Sequence, residues 1–318
     1  MKVYVGDNGA QLDSMQRAVE YIGLLDQTSR ASKVFVKPNL TFPRATPGVT
    51  TTPQFLHNLL AVLAQTGAEV FVGESNGGYG SFLATAAFEG HELPRICKQT
   101  KTTLVNLSES EKRVYSRVKD GVRGKVLLPR FLAEEVDFTI SVPVLKVHAM
   151  TTVSLSVKNL WGCVPNDLRL LEHASLNHQL ALIGDLIRAR FGVIDATYGL
   201  DSHGPMIGRV REFGKIIAGD DLYGLDRITA RMMGFNPLEI QHLRNPSDSN
   251  HEAEVEAAVQ SNIDWQSVNW HFKVGMDFID SLSFITFHSS LLSRLVFDSP
   301  FTRPIYRALG REPKKRLS

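Results

Sequence analysis

Two short β-branched runs, Val34-Phe-Val-Lys and Val70-Phe-Val-Gly, bracket an amphipathic stretch from Pro53 to Thr66, and this rhythm limits the fold more than any other feature. Thr52 stands at the N-cap with Pro53 in the first helical position, and Gly67 supplies the glycine that ends helices. The rhythm returns with Asp137-Phe-Thr-Ile-Ser-Val, helical stretches from about Thr151 and from about Leu176 to Arg190, and the strand Gly192-Val-Ile-Asp-Ala. Such alternation predicts an α/β fold: a mostly parallel sheet with helices on both faces. Val114 to Lys119 and Gly124 to Leu128, separated by Asp120-Gly121, predict a β-hairpin on the sheet edge. After Pro237 the composition turns to Asn, Ser, Asp, Glu and Gln through about residue 262, and aromatic-rich segments follow. A boundary near 245 therefore separates an α/β domain, residues 1–245, from a helical C-terminal extension, residues 246–318, packed on the core.

A chain of 318 residues with 43% hydrophobic content can bury its own core. The net charge of +2, with Lys and Arg scattered, argues against nucleic acid as a partner. Two cysteines, Cys97 and Cys163, exclude a disulfide framework or a cysteine cluster for zinc or iron–sulfur binding, and fit a reducing compartment. The opening run Lys2-Val-Tyr-Val-Gly has none of the parts of a signal peptide, so the expected location is cytoplasmic. The apolar stretch from Met276 to Phe297 carries Asp277, Asp280, His288 and Arg294, which are costly in hydrocarbon. It reads as a helix packed on its own domain, with a peripheral membrane contact as the rival. The basic end, Lys314, Lys315 and Arg316, reads as a solvated tail.

Ligands of open α/β sheets bind beyond the carboxyl ends of the strands, so polar residues there carry the most weight. Four such ends stand out: Lys37-Pro38-Asn39, Glu74-Ser75-Asn76-Gly77-Gly78, Lys146-Val147-His148, and Asp195 followed by His203-Gly204-Pro205. The glycine-bearing run after Glu74 reads either as a backbone cradle for an anion or as a plain flexible turn. Lys37 delivers an ammonium at a point fixed by the following proline, or pairs with a nearby carboxylate. The densest constellation joins Lys146 and His148 to Lys158, Asn159, His173 and His178. If residues 151–160 are helical, Ser154 and Lys158 share one face. An imidazole exchanges protons near neutral pH, and a lysine in a drying cleft can act as base or imine former. His173 and His178 are candidate metal ligands, although five residues apart they miss the i, i+4 spacing of a helical pair.

Val36-Lys-Pro-Asn39, Val72-Gly-Glu74, Pro143-Val-Leu-Lys-Val-His148, Val157-Lys-Asn159 with Gly162, His173, Asp195-Ala, Gly204-Pro205, and Leu225-Asp226 with Gly234 occur in this order. Over about residues 30 to 240 the chain thus resembles the family called domain of unknown function 362. Many members also carry a ferredoxin-like iron–sulfur segment, which two cysteines cannot supply. More distantly, the chain is similar to the N-terminal domain of the nickel-pincer lactate racemases, where a Pro-x-His is followed ten residues later by lysine. That resemblance implies an acid/base role for His148, a tether for a pyridinium-derived cofactor at Lys158, and a nickel-binding histidine near His173. The chain departs from it where a second acid/base histidine would stand, since Glu74-Ser-Asn-Gly-Gly holds none, and Leu155-Ser156 replaces a paired Gly-Gly.

The expected function is an enzyme acting on a small polar or anionic metabolite by proton transfer or lysine-assisted chemistry in a strand-end cleft. Lys37, Asn39, Glu74, Ser75, Asn76, Gly77, Gly78, Asn159, Asp195 and Gly204 would bind the ligand, and His148, Lys158 and Lys146 would act on it. The rival expectations are a carrier protein holding a metal or a nucleotide-like organic cofactor, and a peripheral membrane or scaffold protein acting through its C-terminal region.

Overall fold

Strands and helices alternate as the hydrophobic patterning predicts. The computed structural model describes residues 1–7, 12–78, 81–119, 122–244, 259–275, 286 and 289–297. In chain order the first part comprises β1 (Lys2–Asp7), α1 (Leu12–Tyr21), β2 (Lys33–Pro38), α2 (Pro53–Ala64), β3 (Glu69–Glu74), α3 (Ala84–Gly90), α4 (Leu93–Thr100) and β4 (Thr103–Asn106). There follow β5 (Lys112–Lys119), β6 (Val122–Pro129), α5 (Arg130–Glu134), β7 (Phe138–Val142), β8 (Val144–His148), β9 (Thr152–Val153), α6 (Ser156–Asn159) and α7 (Leu176–Leu186). The remaining elements are β10 (Ala189–Asp201), β11 (Arg209–Gly219), α8 (Leu222–Met233), β12 (Gln260–Ser261) and a helix at Ser290–Phe297, here α9.

The main sheet runs β12-β1-β11-β10-β7-β2-β3-β4. Its centre, β10-β7-β2-β3-β4, is parallel throughout, while β11 pairs antiparallel with both β1 and β10. Successive side chains on a strand face opposite ways, and each face meets its own helices. Val34, Val36, Ile216 and Ala218 join Met15, Leu59 and Ile96 on one face. Phe35, Ile194 and Ile217 join Val157, Leu180 and Leu225 on the other. The chain leaves β2 toward β3 and β4, then returns to lay β7 on the other flank of β2. This reversal of strand order opens a crevice past the carboxyl ends of β2 and β7.

Several local expectations change. Thr151 to Val153 does not begin a helix; Thr152 and Val153 form β9 and pair antiparallel with His148 and Val147. Thr152 takes a left-handed backbone conformation, φ 63°, which a right-handed helix cannot contain, and only from Ser156 does one helical turn form. The helix expected to reach Arg190 ends at Leu186, because Ala189 already belongs to β10. The hairpin strands β5 and β6 pair in register but make a separate two-stranded sheet packed on α7, not an addition to the main sheet edge. Its Asp120-Gly121 turn lies outside the described residues.

In the C-terminal region β12 pairs in parallel with β1 as the sheet's last strand. Phe272 stacks on Phe213 at 5.4 Å between centroids, with the Arg211 guanidinium 4.9 Å from the Phe213 ring. Residues 268–275 form no helix, where one was expected; the Phe272 ring contact and the Arg211 bond to the Trp270 carbonyl at 2.7 Å tie them to β11. Of the stretch from Met276 to Phe297, only Thr286 and residues 289–297 are described, and Ser290–Phe297 is helical. No helix among the described residues is long and apolar enough to cross a membrane.

Candidate functional site

A cavity of about 580 Å³ lies at the crevice, and its walls come from the ends of β2, β3 and β8 and from α6 with the segment that follows. Of the residues expected at the site, Lys37, Asn39, Glu74, Ser75, Gly77, Gly78, Lys146, His148, Lys158, Asn159, His173 and Gly204 line it. The imidazole of His148 and the ammonium of Lys158 thus meet in one opening. Three expected residues do not line it. Asp195 turns to the start of α2, accepting the Thr52 N–H at 2.7 Å and the Thr197 hydroxyl at 2.6 Å. Asn76 accepts the Ala84 N–H at 2.9 Å, a bond at the start of α3. His178 faces Gly124 of the hairpin, where a Cβ would come within 2.5 Å of its Nε2. His173 and His178 therefore do not form a metal pair, and among the described residues no group of three or more His, Cys, Asp or Glu is placed to hold a metal ion.

The floor is an ion pair. Lys37 is fully buried, and its Nζ donates to Glu74 Oε2 at 2.5 Å and to the Pro38 carbonyl at 2.7 Å. Glu74 also accepts the Leu40 N–H at 3.3 Å and, through Oε1, the Ser75 N–H at 2.9 Å. Asn159 ties α6 to β2 through Nδ2, which donates to the Lys37 carbonyl at 2.8 Å. Gly162 closes over this pair: a Cβ there would stand 2.6 Å from Glu74 Oε1 and 2.7 Å from Lys37 Nζ. Lys37 is thus the paired lysine of the two alternatives, and its charge is already met.

The run after Glu74 is a turn rather than an anion cradle. The Ser75 N–H is held by Glu74, the Asn76 N–H by Ser108 Oγ at 3.0 Å, and the Gly77 N–H by the Phe82 carbonyl at 2.9 Å. Donors engaged in this way cannot also wrap a phosphate. Gly77 and Gly78 still shape the wall, because side chains there would strike Phe82 and Leu170.

On the opposite wall no carboxylate among the described residues forms an ion pair with the cations. Lys146 donates from Nζ to the Val49 carbonyl at 2.8 Å, and burial holds its pKa down to about 7. Lys158 sits on α6, whose first N–H groups, Ser156 and Val157, are capped by Asp226 at 2.9 and 2.7 Å. No hydrogen bond or ion pair among the described residues engages its Nζ, and burial, helped by Arg169, brings its pKa down to about 8. Arg169 donates to the carbonyls of Asn76, Val164 and Asn166, and burial lowers its pKa as well. Four basic side chains and one carboxylate line the cavity, and Lys37 takes the carboxylate.

His148 is buried, and desolvation followed by the Lys158 charge pushes its pKa well below the ordinary imidazole range. Its Nδ1 accepts the Met150 N–H at 3.1 Å, so the neutral ring carries its proton on Nε2. His242, in the segment after α8, is also buried, its pKa pushed down to about 3 by burial and then by Lys158. Sequence reasoning missed Arg169, which belongs to no motif, and the apolar wall residues Phe82, Met150, Trp161, Leu170 and Met206. Only Trp161 carried a signal, standing three residues after Lys158.

Comparison with solved structures gives a crystal structure of a Thermotoga maritima protein, 14% identical, covering 65% of this chain and 56% of that one with a TM-score of 0.37, too low to carry an argument. Among curated proteins, the thylakoid-associated protein sll1697 of Synechocystis sp. is 26% identical over 241 residues, 73% of each chain. The model of the family described as Domain of unknown function (DUF362) matches residues 34–231, a span that includes every residue lining the cavity from Lys37 to Met206, and the chain belongs to that family.

Proposed function

We propose that this protein is an enzyme that binds an organic anion in the strand-end cavity and moves a proton on it. The observation that carries this reading is the gathering of Lys146, Lys158 and Arg169 in one cavity with no ion-paired carboxylate among the described residues. Carbonyl oxygens meet Lys146 and Arg169, but buried basic groups without a counter-charge are unfavourable, so three of them together favour a negative charge arriving from outside.

The chemistry divides among these groups. Lys158, unengaged and held near neutral pKa, takes the proton from a carbon beside a carboxylate or carbonyl and returns it. His148 has its basic nitrogen tied to Met150, so it donates through Nε2–H to the oxygen on which charge develops, the role of a neutral imidazole electrophile. Lys146, with its pKa lowered to about 7, adds positive charge when the anion favours its protonated form. Proton exchange thus falls to the lysine, where the sequence pointed first to the histidine.

The likeness to the lactate-racemase N-terminal domain supports the site's location and the ten-residue separation of His148 from Lys158. It does not extend to two-histidine chemistry, because the loop after Glu74 offers no second acid/base histidine, nor to nickel, because among the described residues no group of three or more His, Cys, Asp or Glu is placed to hold a metal ion. The buried free thiols Cys97 and Cys163 fit a reducing compartment such as the cytoplasm.

A panel of α-hydroxy, α-keto and phosphorylated acids incubated with the enzyme in heavy water tests the reading by mass spectrometry. One acid should gain a deuteron with the native chain and none with Lys158→Gln. Tight binding of an acid without exchange by the native chain would make the protein a carrier instead.

A second reading adds a membrane contact. Leu291 and Leu295 on α9 are 67% and 59% exposed beside the exposed Arg294, and the Synechocystis relative is described as thylakoid-associated. Sedimentation with phosphatidylglycerol vesicles should carry down the native chain and lose it on Leu291→Ser with Leu295→Ser.

A further inference from the structure

We infer that the ligand is amphiphilic: an anion whose charged head meets Lys146, Lys158 and His148, and whose hydrophobic ring or chain lies against Phe82, Leu170, Met150 and Met206. The inference rests on the anion-binding reading above and narrows its substrate class.

Two observations carry it. The first is size. A cavity of about 580 Å³ belongs with sites that enclose ligands of drug-like dimensions, whose usual range is roughly 300 to 1,000 Å³, and it far exceeds the needs of a three-carbon acid. The second is the chemistry of the lining. Beside the basic cluster stand Leu40, Phe82, Met150, Trp161, Leu170 and Met206. Such side chains give a charged metabolite nothing, yet here they border the crevice where polar residues would serve a fully polar ligand better.

The two chemistries also have separate anchors. Leu170 and Phe82 abut Gly78 and Gly77, on the loop past β3, where any Cβ would displace them. Lys146 and His148 come from β8, and Lys158 from α6 across from it. Met150 follows His148 and Met206 follows Pro205, so two flexible thioethers flank the head site, and methionine adapts to ligands of irregular apolar shape. A ligand reaching from the lysines to Phe82 would bury its apolar part against these side chains, each contact adding affinity that a bare anion cannot gain.

The test is calorimetric titration of the full chain with three probes: inorganic phosphate, 1-naphthyl phosphate and uncharged 1-naphthol. Naphthyl phosphate should bind at least tenfold more tightly than either other probe. Phe82→Ala should erase most of that gain while leaving the affinity for inorganic phosphate unchanged, and Lys158→Gln should weaken both phosphates. Equal affinities for the two phosphates would overturn the amphiphilic assignment and leave anion binding standing. Naphthol matching naphthyl phosphate, or no binding of any probe, would overturn the anion-binding reading itself.

Discussion

Lys37 and Lys158 border the same cavity and are both buried, yet one is closed into an ion pair and the other has no bonded partner among the described residues. Around Lys37 the carboxylate of Glu74 balances the charge, the Pro38 carbonyl accepts a second N–H, and Gly162 covers the pair. Around Lys158, burial and then the Arg169 charge oppose its ionisation. The contrast separates a lysine that builds the fold from a lysine that waits for a ligand, and burial alone does not distinguish them. Removing a partner of the first should destabilise the protein, and removing the second should not.

The largest effect is expected where the closed pair is broken. Glu74→Gln leaves the Lys37 charge buried and unmatched, and should lower stability by about 3–5 kcal/mol in urea unfolding. Next comes Gly162→Ala, whose methyl would crowd Glu74 Oε1 and Lys37 Nζ; overpacking of this kind should cost about 1–3 kcal/mol. Lys158→Met sharpens the comparison by reversing the sign. It removes a desolvated amine and should leave stability unchanged or raise it by up to about 1 kcal/mol, while weakening anion binding at least tenfold. A loss of stability as large as that of Glu74→Gln would erase the distinction between the two lysines.

The pH dependence gives the smallest and most selective effect. Lys146 and Lys158 have folded-state pKa values of about 7 and about 8, below the ordinary lysine value of 10.5. Across the window from about 7 to 10.5 the unfolded chain binds more protons at these two sites than the folded chain. Their contribution to stability therefore rises with pH through that window. An anion in the cavity favours their protonated forms, so phosphate affinity should fall as pH rises from 7 to 9, while the deprotonated fraction of Lys158 is the one that serves as base. Calorimetry at pH 8 in buffers of different ionisation enthalpy should register proton uptake on binding.

The β2-α2-β3 unit was legible because its signals are local: β-branched runs, a proline at the helix start and a glycine at its end. The strand ends carrying Lys37, Glu74, Lys146 and His148 followed from the α/β pattern, since sheets of this kind place their ligands there. What the sequence hid depends on distance. Glu74 reaches Lys37 across 37 residues, and no spacing reveals that one buried cation is neutralised while another is not. Asp195 carries a carboxylate at a plausible strand position, but β10 continues past it to Asp201 and its side chain turns to the start of α2. His178 fell in a histidine-rich stretch and was grouped with His173, yet α7 carries it under the hairpin. Arg169 entered the cavity from a 3-10 segment with neither regular periodicity nor motif.

The central claim, that Lys158 is held for an external anion, is tested most directly by the ionisation of that one amine. Lysine side chains labelled with carbon-13 at Cε, assigned through Lys158→Gln, can be followed by NMR across pH 5 to 11 with and without saturating inorganic phosphate. In the free protein the Lys158 resonance should titrate near 8, and phosphate should move its midpoint upward while the Lys37 resonance stays unmoved. A Lys158 resonance that titrates at an ordinary lysine value, or that ignores phosphate added to saturation, would contradict the account.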